Sequence, residues 1–183
     1  MDKYFKKNAE PTKEEKKAIL RYSISDHKQI NEFLSKNIAP ENISEEEIKV
    51  QIKQIDGYLQ KFELINTAIV YRIEVETYYG IDNINDILEL YSANNEILYN
   101  FFISTSFSEE VADNWVLKYK NQNANYIIKM SILINPGLQC AYIKEESAFP
   151  EEDEVLIARN AKLTIFNSRI EDNNIIRVFA KMT

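Results

Sequence analysis

The spacing of apolar residues changes about a third of the way along the chain. Before this change, apolar side chains recur at steps of three and four residues, which is the spacing of one face of an α-helix. The clearest case lies between residues 48 and 62 and predicts a helix that packs against the core on one side. Its apolar stripe consists of Ile48, Ile52, Ile55, Leu59 and Phe62.

Polar residues in front of the apolar stretches predict where the helices begin. Thr12 or a neighbour can start the first helix, because a side-chain oxygen satisfies the unpaired N–H groups of a first turn. Ser44, followed three residues later by Glu47, has the sequence of a capping box. Ser25 is expected to cap a further helix. One face of that helix would carry Ile30, Phe33 and Leu34.

From residue 67 onward the chain is rich in β-branched and aromatic residues, which are typical of strands. Two helices are predicted among them, at 82–91 and at 109–119, the second capped by Ser108. Helices first and strands last predict an α+β fold, with a mixed, mainly antiparallel two-sheet core and N-terminal helices. The predicted strands are 67–75, 97–105, 125–134, 138–143, 154–158, 162–166 and 175–182.

Length and composition restrict the possible functions. The 183 residues fit one domain, 1–183, in which 1–12 are expected to form a flexible or peripheral segment. The net charge of −7 disfavours binding to nucleic acid, because an acidic chain repels phosphate backbones. A single cysteine, Cys140, and a single histidine, His27, leave no internal disulfide and no zinc cluster, so no metal is expected.

The sequence also bears on where the protein acts. No apolar run approaches the ~20 residues that a membrane-spanning helix needs. The N-terminus lacks the apolar segment of a Sec signal peptide. If the protein is exported, we expect another route or a trimmed chain.

Arg72 lies inside an apolar predicted strand. A buried arginine is costly unless it is paired with an anion. Its guanidinium group matches phosphate oxygens in a bidentate way, which indicates a phosphate clamp. The alternative is an arginine at a strand edge that points into solvent.

Three consecutive hydroxyl residues, Ser104, Thr105 and Ser106, end the next predicted strand. They could form an ordinary polar strand end. Alternatively, their hydroxyl groups could orient a catalytic carboxylate and a ligand.

An acidic segment, Glu152, Asp153 and Glu154, enters a later strand. Residues i and i+2 of a strand face the same side, so Glu152 and Glu154 are expected to converge while Asp153 points away. Adjacent carboxylates repel each other, which raises the pKa of one of them. The alternative is a solvated acidic turn.

Arginine, then Ser-Thr-Ser, then Glu-x-Glu, on successive strands, resembles the Arg–Ser–Glu class of bacterial ADP-ribosyltransferase toxins. The likeness is strongest to the enzymatic components of clostridial and bacillus binary toxins, and it extends over roughly residues 13–181. It implies the ADP-ribosyltransferase fold, with NAD as co-substrate. Each motif is common alone, and their order and spacing make the combination specific.

The resemblance implies a role for each matching residue. Arg72 would hold the NAD phosphates, and Ser104 would position the catalytic glutamate, with Thr105 and Ser106 completing the motif. Glu154 would bind the nicotinamide ribose. Glu152 matches the first glutamate of arginine-modifying members, where asparagine-modifying relatives have glutamine.

Further positions of the resemblance surround the same site. Phe149 would recognise the protein substrate. Trp115 and Lys118 would lie near the NAD phosphate–nicotinamide loop. Tyr22 and His27 would line the cofactor cleft, although the family more often has tyrosine where His27 stands.

Two positions depart from the binary toxins. Ile73 stands where some have a second arginine, and Thr77 where those toxins have glutamine. At these two positions we expect either fewer contacts with NAD or contacts that other residues make instead. The chain is also too short to hold the docking domain of those toxins.

The resemblance therefore implies a mono-ADP-ribosyltransferase that transfers ADP-ribose from NAD to an arginine of a host protein. Actin is the leading target of modification. A translocation partner, which would deliver the enzyme, is also expected from the resemblance. The expected site of action is the target-cell cytosol, after secretion or injection. Two alternatives remain open: an NAD glycohydrolase, and a non-catalytic adaptor of the same fold.

Overall fold

The computed structural model describes residues 3–37, 43–75 and 83–183. Helices dominate its first third and strands the remainder, so the predicted α+β class is confirmed. The helices are α1 (Lys13–Arg21), α2 (His27–Lys36), α3 (Glu45–Leu59), α4 (Ile84–Leu90) and α5 (Glu109–Asn121). The strands are β1 (Phe5–Lys7), β2 (Phe62–Leu64), β3 (Ala68–Val75), β4 (Glu96–Tyr99), β5 (Ile103–Ser106), β6 (Ile127–Ile134), β7 (Cys140–Tyr142), β8 (Glu154–Ile157), β9 (Ala161–Asp172) and β10 (Ile175–Met182).

Three predicted helix caps are confirmed. Thr12 and Glu15 form a capping box at the start of α1, and Ser44 and Glu47 form another at α3. The Ser108 side chain accepts the main-chain N–H of the third residue of α5. These features are local in sequence, since each satisfies N–H groups of the adjacent turn.

The predicted cap at Ser25 is wrong. α1 continues through a π-helical turn, Tyr22–Asp26, directly into α2, so Ser25 lies within one continuous helical segment. The Ser25 hydroxyl donates to the Asp26 carboxylate at 2.7 Å. Asp26 is buried and also receives a hydrogen bond from Gln51 of α3. Packing against α3 therefore outweighs the local preference of serine for a helix start.

Within the part of the chain that the structure describes, eight strands form one mixed sheet in the order β4-β9-β10-β6-β3-β5-β8-β7. β6 and β10 are parallel, and the other neighbours are antiparallel. β1 and β2 form a separate two-stranded sheet. Phe5 of this small sheet is buried, so part of the segment expected to be flexible or peripheral packs against the core.

The single strand predicted at 97–105 is two strands. β4 pairs with β9 at one edge of the large sheet, whereas β5 pairs with β3 and β8 on the other side of its centre. Residues 100–102 carry the chain between the two positions, and Phe102 is fully buried on the way. The apolar pattern is continuous because both strands and this connection contribute to the core.

β8 is buried on both faces and separates two hydrophobic clusters. Val155 and Ile157 belong to the cluster of the large sheet, whereas Leu156 packs with the N-terminal helices. Glu154, the first residue of β8, therefore lies where the sheet meets those helices. Within the described ranges, no helix is both long and apolar enough to cross a membrane.

Candidate active site

The register between β5 and β8 brings the Ser-Thr-Ser segment beside Glu154. Ser106 is paired with Glu154, and Thr105 with Val155. Alternation along β5 puts Ser104 on the same face of the sheet as Ser106, and Thr105 on the other. The Ser104 side chain lies close enough to the Glu154 carboxylate to lower its pKa. Thr105 is buried, and its hydroxyl donates to the Val155 carbonyl at 2.8 Å.

Glu154 has the electrostatic environment of a functional carboxylate. Its residue surface is 7% exposed, and burial raises its pKa to about 7. The nearby Ser104 hydroxyl opposes that rise in pKa, the charge of Glu152 adds to it, and the nearby Ser147 hydroxyl again opposes it. The pKa of Glu154 is thus raised, as predicted for one of the two carboxylates, although burial rather than repulsion is the main cause.

The predicted strand geometry of Glu152 is wrong. Glu152 ends a short 3-10 turn, Pro150–Glu152, and Asp153 adopts a left-handed conformation with φ of 46° before β8 begins. Proline at the first position favours such a turn, and aspartate tolerates the left-handed region. Glu152 nevertheless remains close enough for its charge to act on Glu154.

Glu152 is half-buried at the edge of the site. Burial raises its pKa, the charge of Glu151 adds to the rise, and the charge of Lys118 opposes it. Asp153 instead accepts hydrogen bonds from the Tyr142 hydroxyl at 2.6 Å and from the Lys144 ammonium at 2.7 Å. The solvated acidic turn considered from sequence therefore describes neither Glu152 nor Glu154.

Arg72 does not point from a strand edge into solvent, since β3 lies between β6 and β5 and the side chain is 13% exposed. Its Nε donates to the Glu74 carboxylate at 2.6 Å, and an Nη donates to the Ser104 carbonyl at 2.8 Å. These bonds fix the guanidinium group between β3 and β5, beside the serine that contacts Glu154.

The buried anion that holds Arg72 was missed from sequence. Glu74 is 1% exposed and accepts hydrogen bonds from the hydroxyls of Tyr91 at 2.8 Å and Tyr99 at 3.3 Å. Its spacing of two from Arg72 on an apolar strand is a signal that could have predicted this pair, because both side chains share one face.

Tyr22 is buried close to Glu154 rather than on an open surface. It is 1% exposed, and its hydroxyl donates to the Phe102 carbonyl and accepts from Asn31. Burial raises its pKa, and the negative charge of Glu154 raises it further. His27 is exposed, with Nδ1 at 3.2 Å from the Tyr22 carbonyl oxygen.

The remaining predicted residues surround the turn that carries Glu152. On α5, the Lys118 ammonium lies 3.9 Å from the centre of the Trp115 ring, and its charge reaches Glu152. Phe149, directly before the 3-10 turn, is 41% exposed. Ile73, one of the departures from the binary toxins, is half-buried near α5, and Thr77, the other, lies outside the described residues.

A sequence model of the ADP-ribosyltransferase exoenzyme family matches residues 1–182. The chain belongs to this family. Among curated proteins, it is 30% identical over 115 residues to NAD(+)--arginine ADP-ribosyltransferase EFV of Enterococcus faecalis. That match covers 62% of this chain and 21% of the relative, so it spans about a fifth of that protein's length.

Solved structures of bacterial toxins share the exoenzyme fold. BECa of C. perfringens, an ADP-ribosylating toxin solved with NADH, has a TM-score of 0.79 and 21% identity, covering 95% of this chain and 44% of that one. Vis of Vibrio splendidus, solved with agmatine, has a TM-score of 0.72 and 20% identity, covering 97% of this chain and 77% of that one. The predicted resemblance to this toxin family is confirmed.

Proposed function

We propose that this exoenzyme cleaves NAD and transfers its ADP-ribose to an arginine of a host protein. The observation that carries this proposal is the convergence of four groups. Ser104 lies on the strand beside Glu154 and lowers its pKa, the Arg72 guanidinium donates to the Ser104 carbonyl, and Glu152 is close enough for its charge to act on Glu154.

Glu154 is suited to support cleavage of the nicotinamide–ribose bond. This cleavage produces an oxocarbenium-like centre, as in glycoside hydrolysis. A preorganised carboxylate stabilises that positive charge best where water is excluded, and Glu154 is almost fully buried. Because its pKa is about 7, the carboxylate is half ionised at neutral pH and becomes fully ionised, and active, as the pH rises above 7.

Glu152 is suited to handle the acceptor. A guanidinium group is cationic and weakly nucleophilic, so it needs a carboxylate that orients it and accepts its proton. Glu152 is half-buried beside Glu154, and its raised pKa makes it a better proton acceptor than an ordinary glutamate. The arginine named for the EFV relative and the agmatine in the Vis complex support this choice of acceptor.

NAD binding is assigned to groups around the same junction. The Arg72 guanidinium clamps the diphosphate, in a site where its fork suits phosphate oxygens. The Trp115–Lys118 pair on α5 and the exposed His27 contribute further contacts. Tyr22, Thr105 and Ser106 support the site from behind, because each is buried.

NAD hydrolysis is the second candidate activity. Water can attack an oxocarbenium ion without an orienting carboxylate, so Glu154 serves hydrolysis as well as transfer. The burial of Glu154 also argues against a non-catalytic adaptor, because a buried carboxylate with a raised pKa costs stability that binding alone does not require.

The proposed setting is a secreted or injected effector that acts in the target-cell cytosol. Actin is the leading acceptor of ADP-ribose, and a translocation protein that delivers the effector is a separate proposed partner. The test is incubation with labelled NAD and a host-cell lysate, followed by mass spectrometry of the labelled protein. Label on an arginine that disappears with Glu154→Gln supports the proposal. Label on another residue type, or none, refutes it.

A further inference from the structure

Asp153 lies between the two glutamates of the site and directs the main chain from the 3-10 turn into β8. Its φ of 46° is left-handed, and the strand begins only at the next residue, Glu154. In a fully extended chain Glu152 and Glu154 would share one face. The left-handed residue breaks this alternation, so the direction of Glu152 relative to Glu154 depends on the conformation of Asp153.

Two side chains hold the Asp153 carboxylate. The Tyr142 hydroxyl and the Lys144 ammonium donate to the same oxygen, Oδ1, at 2.6 Å and 2.7 Å. Tyr142 is the last residue of β7, which pairs with β8. Ile143, between the two donors, gives its main-chain N–H to the Glu154 carbonyl at 3.0 Å. These two side-chain contacts, which we call the turn clamp, therefore connect the left-handed residue to a strand of the large sheet.

The main chain around Asp153 is held separately, from the end of β5. The Phe107 N–H donates to the Asp153 carbonyl at 3.1 Å, and the Ser106 hydroxyl donates to the Glu152 carbonyl. The left-handed region is unfavourable for a residue with a side chain. A contact made through the Asp153 side chain itself offsets this cost, so the turn clamp favours the left-handed form over an extended one.

We propose that Asp153, Tyr142 and Lys144 are positioning residues that set how often ADP-ribose passes to a guanidinium group rather than to water. This inference rests on the proposed function. Transfer needs Glu152 at the acceptor, whereas hydrolysis needs only Glu154. Misplacement of a reacting group by about 1 Å costs on the order of 10²-fold in rate. Loss of the turn clamp should therefore lower transfer more than NAD hydrolysis.

The two reactions share their first bond cleavage and differ in the second bond formed. The nicotinamide–ribose bond breaks, and its electron pair leaves with nicotinamide. In transfer, a guanidino nitrogen forms the new bond to the ribose carbon and its proton passes to Glu152. In hydrolysis, a water oxygen forms that bond and its proton passes to solvent. The ratio of the two products therefore reports on the position of Glu152.

Substitutions can separate the turn clamp from the preference of the main chain. Asp153→Gly adopts the left-handed region without strain but has no carboxylate. Asp153→Asn tolerates the same region and keeps a side-chain oxygen that accepts hydrogen bonds. Tyr142→Phe keeps the ring and removes one donor, and Lys144→Met removes the other. If only the main-chain conformation mattered, Asp153→Gly would behave like the wild type.

The test measures ADP-ribosyl-agmatine and the nicotinamide released without transfer, in one reaction of the full chain. Both products come from the same folded molecules, so their ratio does not depend on the folded fraction. The ratio of transfer to hydrolysis should fall about fivefold in Tyr142→Phe, as for one lost hydrogen bond, and roughly tenfold in Asp153→Gly. Asp153→Asn should stay close to the wild type.

Asn160→Gly is the matched control. Asn160 is also left-handed, with φ of 67°, but it follows the opposite end of β8. Its substitution by glycine should leave the ratio unchanged. A double variant tests whether Tyr142 acts through Asp153. In the Asp153→Gly background, Tyr142→Phe should cause no further fall, because its hydrogen-bond partner is already absent.

A ¹³C NMR titration of the aspartate carboxyl groups gives a measurement that needs no activity. The Lys144 ammonium and the Tyr142 hydroxyl hold the pKa of Asp153 below its ordinary value. Lys144→Met and Tyr142→Phe should therefore each raise that pKa, and Asn160→Gly should not. An unchanged pKa in both clamp variants would show that the turn clamp does not form in solution, and would overturn the inference.

The inference would also be overturned by an unchanged product ratio in both Asp153→Gly and Tyr142→Phe, or by an equal fall in Asn160→Gly. Additive effects in the double variant would contradict the route through Asp153. The failure of each proposal is distinguishable. A wild type that modifies no agmatine refutes the proposed function, whereas a wild type that modifies agmatine and variants that keep its product ratio refute only the role of the turn clamp.

Discussion

The Ser106 hydroxyl donates a 2.7 Å hydrogen bond to the main-chain carbonyl of Glu152. This bond ties the end of β5 to the turn in front of β8. The same serine oxygen accepts the N–H of Ser108, the cap of α5. One hydroxyl thus connects the main chain of Glu152 to the start of the helix that carries Trp115 and Lys118. Ser106 of the Ser-Thr-Ser segment therefore holds in place the turn that precedes β8.

Replacing the Glu154 carboxylate should abolish NAD cleavage without abolishing NAD binding. Glu154→Gln keeps the shape of the side chain but removes the charge that supports the oxocarbenium ion. Nicotinamide release and transfer should both fall by a factor on the order of 10³, while NAD affinity changes little. Rate measurements with saturating NAD, together with calorimetry, check this. Near-normal cleavage would mean that another carboxylate is responsible.

The same substitution should stabilise the fold at neutral pH. Folded Glu154 holds its proton up to about pH 7, whereas the unfolded chain releases it near the ordinary value of 4.5. Between these values the folded state binds more protons, so its stability falls as pH rises. Glu154→Gln escapes this cost, and at pH 8 it should be more stable than the wild type by up to about 3 kcal/mol.

Urea unfolding at pH 5 and pH 8 measures this effect, with Glu151→Gln as the exposed control. The gain from Glu154→Gln should shrink toward zero near pH 4.5, and the control should show little pH dependence. If the gain in the free energy of unfolding is equal at pH 5 and pH 8, the pKa of folded Glu154 is not raised above that of the unfolded chain.

Arg72→Lys should weaken NAD binding clearly, and Arg72→Ala should weaken it further. Lysine keeps the charge but loses the fork that holds both Glu74 and the Ser104 carbonyl. Calorimetric titration with NAD gives the affinities. Arg159→Lys is the control, because Arg159 pairs with Asp56 on α3 instead. If neither Arg72 variant has a lower affinity for NAD, Arg72 stabilises the fold and does not bind the NAD phosphates.

Features that depend on adjacent residues were predictable from the sequence. The caps at Thr12, Ser44 and Ser108 satisfy N–H groups within three residues of themselves. The spacing of apolar residues in α3 and in the later strands predicts which face of each element is buried. The order of Arg72, the three serine and threonine residues and Glu154 along the chain was enough to suggest the family, and this order can be read from the sequence alone.

Features that depend on distant contacts were not predictable. Glu74 is accepted in the core because Tyr91 and Tyr99, which are distant in sequence, donate to it. The turn in front of β8 folds back onto the end of β5, where the Ser106 hydroxyl donates to the Glu152 carbonyl. The turn itself depends on the left-handed Asp153, whose side chain is held by Tyr142 and Lys144.

The central claim is that Glu152 directs ADP-ribose to a guanidinium group. Agmatine, a small guanidino compound, tests this without knowledge of the protein target. The wild type and the exposed-neighbour control Glu151→Gln should both convert it. Glu152→Gln should not, because the charge of the acceptor is no longer paired and its proton is no longer removed.

The decisive measurement follows nicotinamide release and ADP-ribosyl-agmatine formation in the same reaction by mass spectrometry. For Glu152→Gln, we expect agmatine modification to be abolished while NAD hydrolysis remains measurable. Equal loss of both products, or agmatine modification at the wild-type rate, would contradict the assignment of this exoenzyme as an arginine-specific ADP-ribosyltransferase.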